Sequence, residues 1–263
     1  MQLEGKVIIV TGSAGGIGRA IAERCAEEGA HVLVTDKNQE GALGTAARIG
    51  GSSTVHVDDL QDTEAPERIV RAALAFCGTI DGVVNNAAYI PRSDIHTTDA
   101  ALFDCVMAIN VRAPMLLIQA ALPYLEKTQG SVLNIGSVNA YCGEVPLLAY
   151  SVSKGALMTM SRNLGDGLHY HHGVRVNQIN PGWVLTDNEF LLKVADGLPQ
   201  DWPGHLPRAV APSGGLISPE VIAAAAVYWL SEASRPVSGA VVELEQYPMI
   251  GRNPPKEVVK PEG

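Results

Sequence analysis

Lys6-Val7-Ile8-Ile9-Val10-Thr11-Gly12-Ser13-Ala14-Gly15-Gly16-Ile17-Gly18-Arg19-Ala20 is the stretch that decides the fold. A continuous apolar run ending in glycines predicts a strand buried on both faces, as in a parallel sheet. The glycines then predict a tight turn whose backbone comes close to a phosphate. Ile17, Ala20, Ile21 and Cys25 recur at helical spacing, so the turn opens a helix whose first amides can hold a pyrophosphate. A second apolar run, His31-Val32-Leu33-Val34-Thr35, ends at Asp36. That carboxylate lies about twenty residues beyond the loop, where it accepts hydrogen bonds from adenosine ribose hydroxyls. Strand, loop, helix, strand and acid in this order predict a dinucleotide site. A carboxylate at position 36 repels a 2′-phosphate and satisfies a 2′-hydroxyl, which predicts NAD rather than NADP. Lys37 softens that preference, and Ser13 adds no positive charge to the loop.

The rest of the chain alternates strand and helix. Helices are expected from Gln39 to Ile49, from the caps Asp62 and Thr63 to Phe76, and from Ala100 to Leu125 with a bend at Pro114. Two more are expected, from Tyr150 to His169 and from a start at Ser218-Pro219-Glu220. Strands are expected at Thr54–Asp58, Ile80–Val84, Ser131–Ile135, Val174–Ile179 and Ala240–Leu244. Such alternation predicts an α/β fold: a doubly wound, seven-stranded parallel sheet with helices on both faces, forming one domain over residues 1–250. Two stretches depart from it. Residues 186–215 are rich in Pro and Gly and carry Phe190 and Trp202, which predicts a long loop covering the substrate. Residues 251–263, with Pro254, Pro255 and Pro261, are expected to form an extended or disordered tail.

At 263 residues the chain has room for one large α/β domain, and its net charge of −9 argues against nucleic acid or an anionic membrane as partner. No apolar stretch is expected to approach the roughly 20 residues of a membrane span. The chain enters its first strand almost at once, so no leader is expected. Cys25, Cys77, Cys105 and Cys142 lack metal-ligand or redox-pair spacing, which fits reduced thiols in the cytoplasm. His169, His171 and His172 precede Gly173 at a helix end, where they complement the dipole; a metal site is the lesser reading.

Tyr150-Ser151-Val152-Ser153-Lys154 places a phenol and an ammonium four residues apart, on one face of a helix. A free phenol titrates near ~10, and a nearby ammonium favours its ionised form. The expectation is a tyrosine whose pKa is lowered enough to act as a base.

Taken together, these motifs resemble the short-chain dehydrogenase/reductase family along almost the whole chain. The loop Thr11-Gly12-Ser13-Ala14-Gly15-Gly16-Ile17-Gly18 is similar to that family's cofactor loop. Asp59-Leu60 resembles its adenine pocket, Asn85-Asn86-Ala87-Ala88 its Asn-Asn-Ala-Gly motif, and Asn180-Pro181-Gly182 the turn beside the nicotinamide. Asn110, Ser137, Tyr150 and Lys154 match its catalytic set. Three departures stand out. Ala88 replaces a glycine and must avoid positive φ. Glu243-Leu244-Glu245-Gln246-Tyr247 replaces the usual Asp-Gly-Gly, which bears on assembly and the substrate mouth. Gly12, Gly15 and Gly18 also fit the longer sugar-nucleotide epimerases, whose additional domain this chain has no room for.

The resemblance implies hydride transfer between a secondary alcohol and nicotinamide. Tyr150 would be the general base or acid, Lys154 would hold the phenolate and the nicotinamide ribose, Ser137 would orient the substrate oxygen, and Asn110 would anchor a water linking Lys154 to solvent. Cofactor contacts are implied at Gly12, Ser13, Gly15, Gly16, Ile17, Gly18, Asp36, Asp59, Leu60, Asn86, Ala87, Tyr150, Lys154, Pro181, Val184 and Thr186. Asp58 competes with Asp59 for the adenine amino group, and Thr186 would donate to the carboxamide. Substrate contacts are expected from Arg92, Ser137, Asn139, Tyr150 and Trp183, with Tyr141, Glu144, Glu189 and His205 nearby. Arg92 would meet an anionic group or form an exposed ion pair. Polar lining with a Trp183 ring to stack on a sugar face favours a sugar or polyol over a steroid or long acyl chain. Alternatives are a carbonyl or 3-oxoacyl-thioester reductase and a non-catalytic nucleotide-binding regulator. The relatives' habit implies a homo-oligomer, dimer or tetramer.

Overall fold

The computed structural model describes residues 1–250; the expected tail, 251–263, lies outside the described residues. Seven strands form one sheet: β1 (Val7–Thr11), β2 (His31–Asp36), β3 (Ser53–Val57), β4 (Gly82–Asn85), β5 (Ser131–Ile135), β6 (Arg175–Pro181) and β7 (Val241–Leu244). Their order is β3-β2-β1-β4-β5-β6-β7, and every described pairing is parallel. The order in which strands are added reverses at the β1–β4 pair, so a crevice opens beyond the ends of those two parallel strands at Thr11 and Asn85.

Alternation along β1 explains why both faces are covered. Ile8 and Val10 join a core with α1 (Gly16–Glu27) and α9 (Pro219–Leu230), while Ile9 joins another with α3 (Ala65–Cys77) and α5 (Ala113–Thr128). The other helices are α2 (Gln39–Ile49), α4 (Ala100–Met107), α6 (Asn139–Cys142), α7 (Leu148–His172) and α8 (Asp187–Ala195).

Several sequence expectations are corrected. The helix expected from Ala100 to Leu125 is three segments, because a π-helical turn at Ala108–Arg112 separates α4 from α5. The interruption centres on Asn110 rather than Pro114, which sits harmlessly in the first turn of α5 where no amide partner is needed. By length and composition the run Ala100–Thr128 could cross a membrane, contrary to expectation. Its Leu117, Ile118, Ala121 and Leu125 are buried against α3 and the strands, so the apolar content serves the core. Asp62 does not cap α3; its carboxylate accepts from Glu64 N–H one turn earlier. Ser218 stands at the start of α9 but makes no capping bond. The stretch 186–215 is no plain loop, since it folds into α8 and a short 3₁₀ turn at Trp202–Gly204. Ala88 stays clear of positive φ, as its Cβ requires.

Arg175, on β6, is the largest fully buried side chain. Its guanidinium donates to Trp229 O at 3.2 Å, to Ser231 O at 3.1 Å and to Ser234 Oγ, closing the carboxyl end of α9 against the sheet. Among the described residues no carboxylate is ion-paired with it, so carbonyl dipoles at a helix end offset the cost of burying its charge. Arg175→Leu would leave Ser231 O and Ser234 Oγ without this donor. We expect urea unfolding to show a loss of about 2 kcal/mol; a neutral or stabilising effect would mean that desolvation of the arginine outweighs its bonds.

Candidate active site

The glycine loop is built for close approach. Gly12 has φ +64° and lies against β4's end, where a Cβ would fall 2.6 Å from Ala87 Cα. A Cβ on Gly18 would collide with Gly12 O and the Asn86 side chain. Asn86 Nδ2 donates to Thr11 O at 2.9 Å and Gly12 O at 3.0 Å, tying β4 to the loop. The Thr11 hydroxyl accepts from Asn86 and Ala87 N–H. Asn86 and Ala87 thus hold the crevice open rather than offering free side chains to it. No side chain caps α1: Gly15 occupies the cap, and the amides of Gly16, Ile17 and Gly18 form the first turn. A Cβ on Gly15 would meet nothing within 4 Å, so space lies directly over those amides.

Asp36 stands at one end of this cleft. Its Oδ2 accepts from Ala14 N at 3.0 Å and its Oδ1 from Asn38 N at 2.9 Å, which aims the carboxylate along the loop. Thr186 stands at the other end, its methyl 3.3 Å from where a Gly16 Cβ would be. Open glycine backbone, uncapped amides and a flanking carboxylate fit a dinucleotide with a free ribose diol. Ser13 is a correction: its hydroxyl donates to Val10 O at 2.8 Å and accepts from Thr35 N at 3.0 Å, inside the protein and away from the cleft. Of the two acids after β3, Asp58 is held by Arg68 and His56, and the guanidinium keeps its carboxyl below the usual range. Asp59 remains exposed, accepting only a local turn bond from Gln61 N. Leu60 packs against the core. Pro181 O accepts from Val138 N, and Val184 is buried with its carbonyl bonded to Thr186 N.

Ser137, Tyr150 and Lys154 meet above β5. Asn139 N donates to Ser137 Oγ at 3.1 Å, and the Ser137 hydroxyl lies close enough to the Tyr150 phenol to favour its ionised form. Lys154 is 2% exposed; its Nζ donates to Ile135 O at 2.7 Å and lies 5.5 Å from the Tyr150 ring centroid. The expected lowering of the phenol does not occur in the chain alone. Burial pushes Tyr150 up to about 12, against the hydrogen bond from Ser137 and with help from the Glu144 charge. Burial also brings Lys154 down to about 7, so near neutrality much of its charge is lost. The i,i+4 spacing brings the two groups together, and burial acts on both toward their neutral forms.

Asn110 is more committed than expected. Its Oδ1 accepts from Tyr89 N at 2.8 Å, and its Nδ2 donates to Tyr89 O and Ser153 Oγ, each at 3.0 Å. Its carboxamide therefore braces the π turn against α7.

Residues 186–215 are pinned at several points. Arg19 pairs with Asp187 at 2.8 Å at the start of α8, and Arg92 pairs with Asp196 just past its end. Gln246 Oε1 accepts from Ser213 N at 3.0 Å while its Nε2 donates to Gly215 O at 2.8 Å. Arg92 is thus engaged by a carboxylate of the protein itself. Trp183 is also corrected: its ring stacks on Trp202 with centroids 5.7 Å apart, its Nε1 donates to Glu189, and the Lys193 ammonium sits 5.4 Å from its centre. The ring is a packing element of the cover, not an open sugar platform. Asn139 Nδ2 donates to Glu144 at 3.2 Å on the facing rim. At the far end of α7, His172 pairs with Glu126. The segment's anchors, Arg19, Asp187 and Gln246, escaped sequence reading; nothing in their local pattern marks a contact so distant in the chain.

A family model described as enoyl-(acyl carrier protein) reductase matches residues 12–245. L-fucose dehydrogenase of Mus musculus is 34% identical over 236 residues, covering 89% of this chain and 85% of that protein. D-threitol dehydrogenase of Mycolicibacterium smegmatis is 35% identical and covers 91% of each chain. Among solved structures, 3-ketoacyl-(acyl-carrier-protein) reductase from Brucella melitensis, complexed with NADH, superimposes with a TM-score of 0.82 at 26% identity, covering 92% of this chain and 97% of that one.

The burial of Lys154 has a consequence for stability. Its folded pKa of about 7 lies below its ordinary value of 10.5, so between these two values the unfolded chain binds the extra proton. The penalty is full below pH 7 and fades as pH rises toward 10.5. Lys154→Met, free of nucleotide, should exceed the parent in stability most at pH 6 and by a smaller margin at pH 9, measured by urea unfolding. A margin independent of pH would contradict the assigned burial.

Proposed function

The chain belongs to the short-chain dehydrogenase/reductase family and is an oxidoreductase; on that premise we propose that it oxidises a secondary alcohol of a sugar or polyol, with NAD as the acceptor. The observation that carries this reading is the meeting of Tyr150 with the buried Lys154, whose Nζ lies 5.5 Å from the phenol ring centroid, in a chain that also holds a cleft fit for a dinucleotide. When bound, oxidised nicotinamide supplies the hydride acceptor and a positive charge. Tyr150 takes the proton from the substrate hydroxyl, and Ser137 orients that oxygen toward it. Lys154 holds the ribose and shares the proton's onward path, with Asn110 anchoring the water through its main chain. Gly12, Gly15, Gly16, Ile17 and Gly18 cradle the pyrophosphate, Asp36 takes the ribose diol, Asp59 the adenine, and Thr186 the carboxamide.

NAD preference rests on the Asp36 carboxylate, which would face a 2′-phosphate with like charge. The sugar or polyol reading is supported by the polar Asn139–Glu144 rim and by similarity to enzymes named for L-fucose and D-threitol. A second reading, reduction of a carbonyl or 3-oxoacyl thioester, draws on the similarity to a 3-ketoacyl reductase and on exposed Ile95 and Val145. Its acid would be the same Tyr150, held protonated by burial. Assembly as a homo-oligomer, dimer or tetramer, is supported by exposed Met115 on α5 and Val152 on α7.

A panel of sugars, polyols and simple secondary alcohols with NAD and NADP, read at the absorbance of reduced nicotinamide, separates these readings. Tyr150→Phe should bind NAD like the parent and lose turnover by roughly a hundredfold or more. Activity within tenfold of the parent would refute the assigned base.

A further inference from the structure

The strands beneath the active site carry amides where apolar residues are expected. Asn134 on β5 and Gln178 and Asn180 on β6 are fully buried, and Asn85 on β4 nearly so. They form one hydrogen-bonded line across the sheet. Asn85 Nδ2 donates to Asn134 Oδ1 at 2.8 Å, and Asn134 Nδ2 donates to Ser161 Oγ at 2.8 Å. The Ser161 hydroxyl shares its one hydrogen between Gln178 Oε1 at 2.7 Å, the shorter contact, and Leu157 O at 2.9 Å, and Gln178 Nε2 donates to Asn180 Oδ1 at 2.7 Å. That same Oδ1 accepts from Ser137 N at 3.2 Å. The line ends on the backbone of the residue that touches the Tyr150 phenol.

Each amide in this line is sorted by its neighbour. Gln178 spends its oxygen on Ser161, which leaves its nitrogen to face Asn180. Asn180 must then present oxygen inward, and that oxygen is what meets the Ser137 amide. Asn180 Nδ2 is buried without a partner, so nothing on the nitrogen side holds the carboxamide in this orientation. The pressure on the turn is close. A Cβ at Gly136 would collide with both Asn180 Oδ1 and Gln178 Nε2, so the two amides lie directly under the backbone that carries Ser137.

We propose that Gln178 is a positioning residue for Ser137: by orienting the Asn180 carboxamide, it keeps an acceptor under the Ser137 N–H and so fixes where the Ser137 hydroxyl meets the phenol. With an apolar residue at 178, the Asn180 amide is free to turn over. A donor would then face the Ser137 donor, and the turn would shift away from Tyr150. The catalytic meaning of this arrangement rests on the dehydrogenase reading of Ser137.

The test compares the parent, Gln178→Leu, and the double variant Gln178→Leu/Asn180→Asp. An ionised aspartic side chain offers oxygen on both sides, and because Asn180 Nδ2 donates to nothing, the change removes no bond; burial raises the carboxyl's pKa, so the double variant is measured across a pH series and judged where it is ionised. Two measurements are made: hydrogen exchange of the Ser137 amide by NMR on nucleotide-free protein, and kcat and KM with the best alcohol from the panel. In Gln178→Leu, exchange at Ser137 should accelerate and kcat should fall roughly tenfold with KM for NAD little changed. The double variant should recover both. Unchanged exchange in Gln178→Leu, or a double variant no better than the single, overturns the proposal. Should the leucine variant fail to fold, Gln178→Met, unbranched and close in length, replaces it with the same outcomes. If the parent turns over no alcohol, the dehydrogenase reading falls, while the exchange measurement still decides the role of Gln178.

Discussion

The crossing of β1 and α1 allows no spare atom, and the rest of the molecule is arranged around it. Gly12 O sits where a side chain on Gly18 would begin, and Asn86 fills the remaining gap with two hydrogen bonds. That contact brings the first turn of α1 to the edge of the sheet where its direction reverses. The crevice, the exposed amides and the position of Asp36 at the end of β2 all follow from it. A single methyl at Gly18 would separate strand from helix and move each of these parts.

The second constraint is desolvation. Tyr150 and Lys154 are driven toward their neutral forms by the same burial that brings them together. In the chain alone this favours a protonated phenol, the acid form. Taking up a proton instead requires additional positive charge in the cleft, so the direction of proton transfer depends on what occupies it. The fold thus holds a pair whose chemistry is set by its ligand more than by the spacing of two residues on a helix.

What could be read from the sequence followed from short-range periodicity. The seven strands, their parallel sheet, the glycine turn, Asp36 and the Tyr150–Lys154 spacing lie in local patterns, whereas Ser137 was legible only through the family resemblance. Failures came where the deciding contact was remote. Pro199, Gly197 and Gly204 made residues 186–215 look irregular, although Thr186 caps a regular helix through Glu189 N. Ser13 faces inward because Thr35 N, on the next strand, claims its hydroxyl. Trp183 was read as open because Trp202, nineteen positions later, could not be seen to stack on it. Asp58 and Asp59 were separable only once Arg68 was found to hold the first. The amides of β5 and β6 were a visible signal left unused, since polar residues within buried strands announce a network.

Helix α8 touches both halves of the cleft without belonging to either. Its leading end is tied to Arg19, on the helix that follows the glycine loop, and its trailing end to Arg92, in the segment after β4. Both ion pairs are solvent-facing, and such pairs are worth about 1 kcal/mol or less. Dissolved salt screens them strongly while leaving the buried tyrosine and lysine nearly untouched. Ionic strength therefore acts on the tethers of α8 and hardly at all on the buried pair beneath.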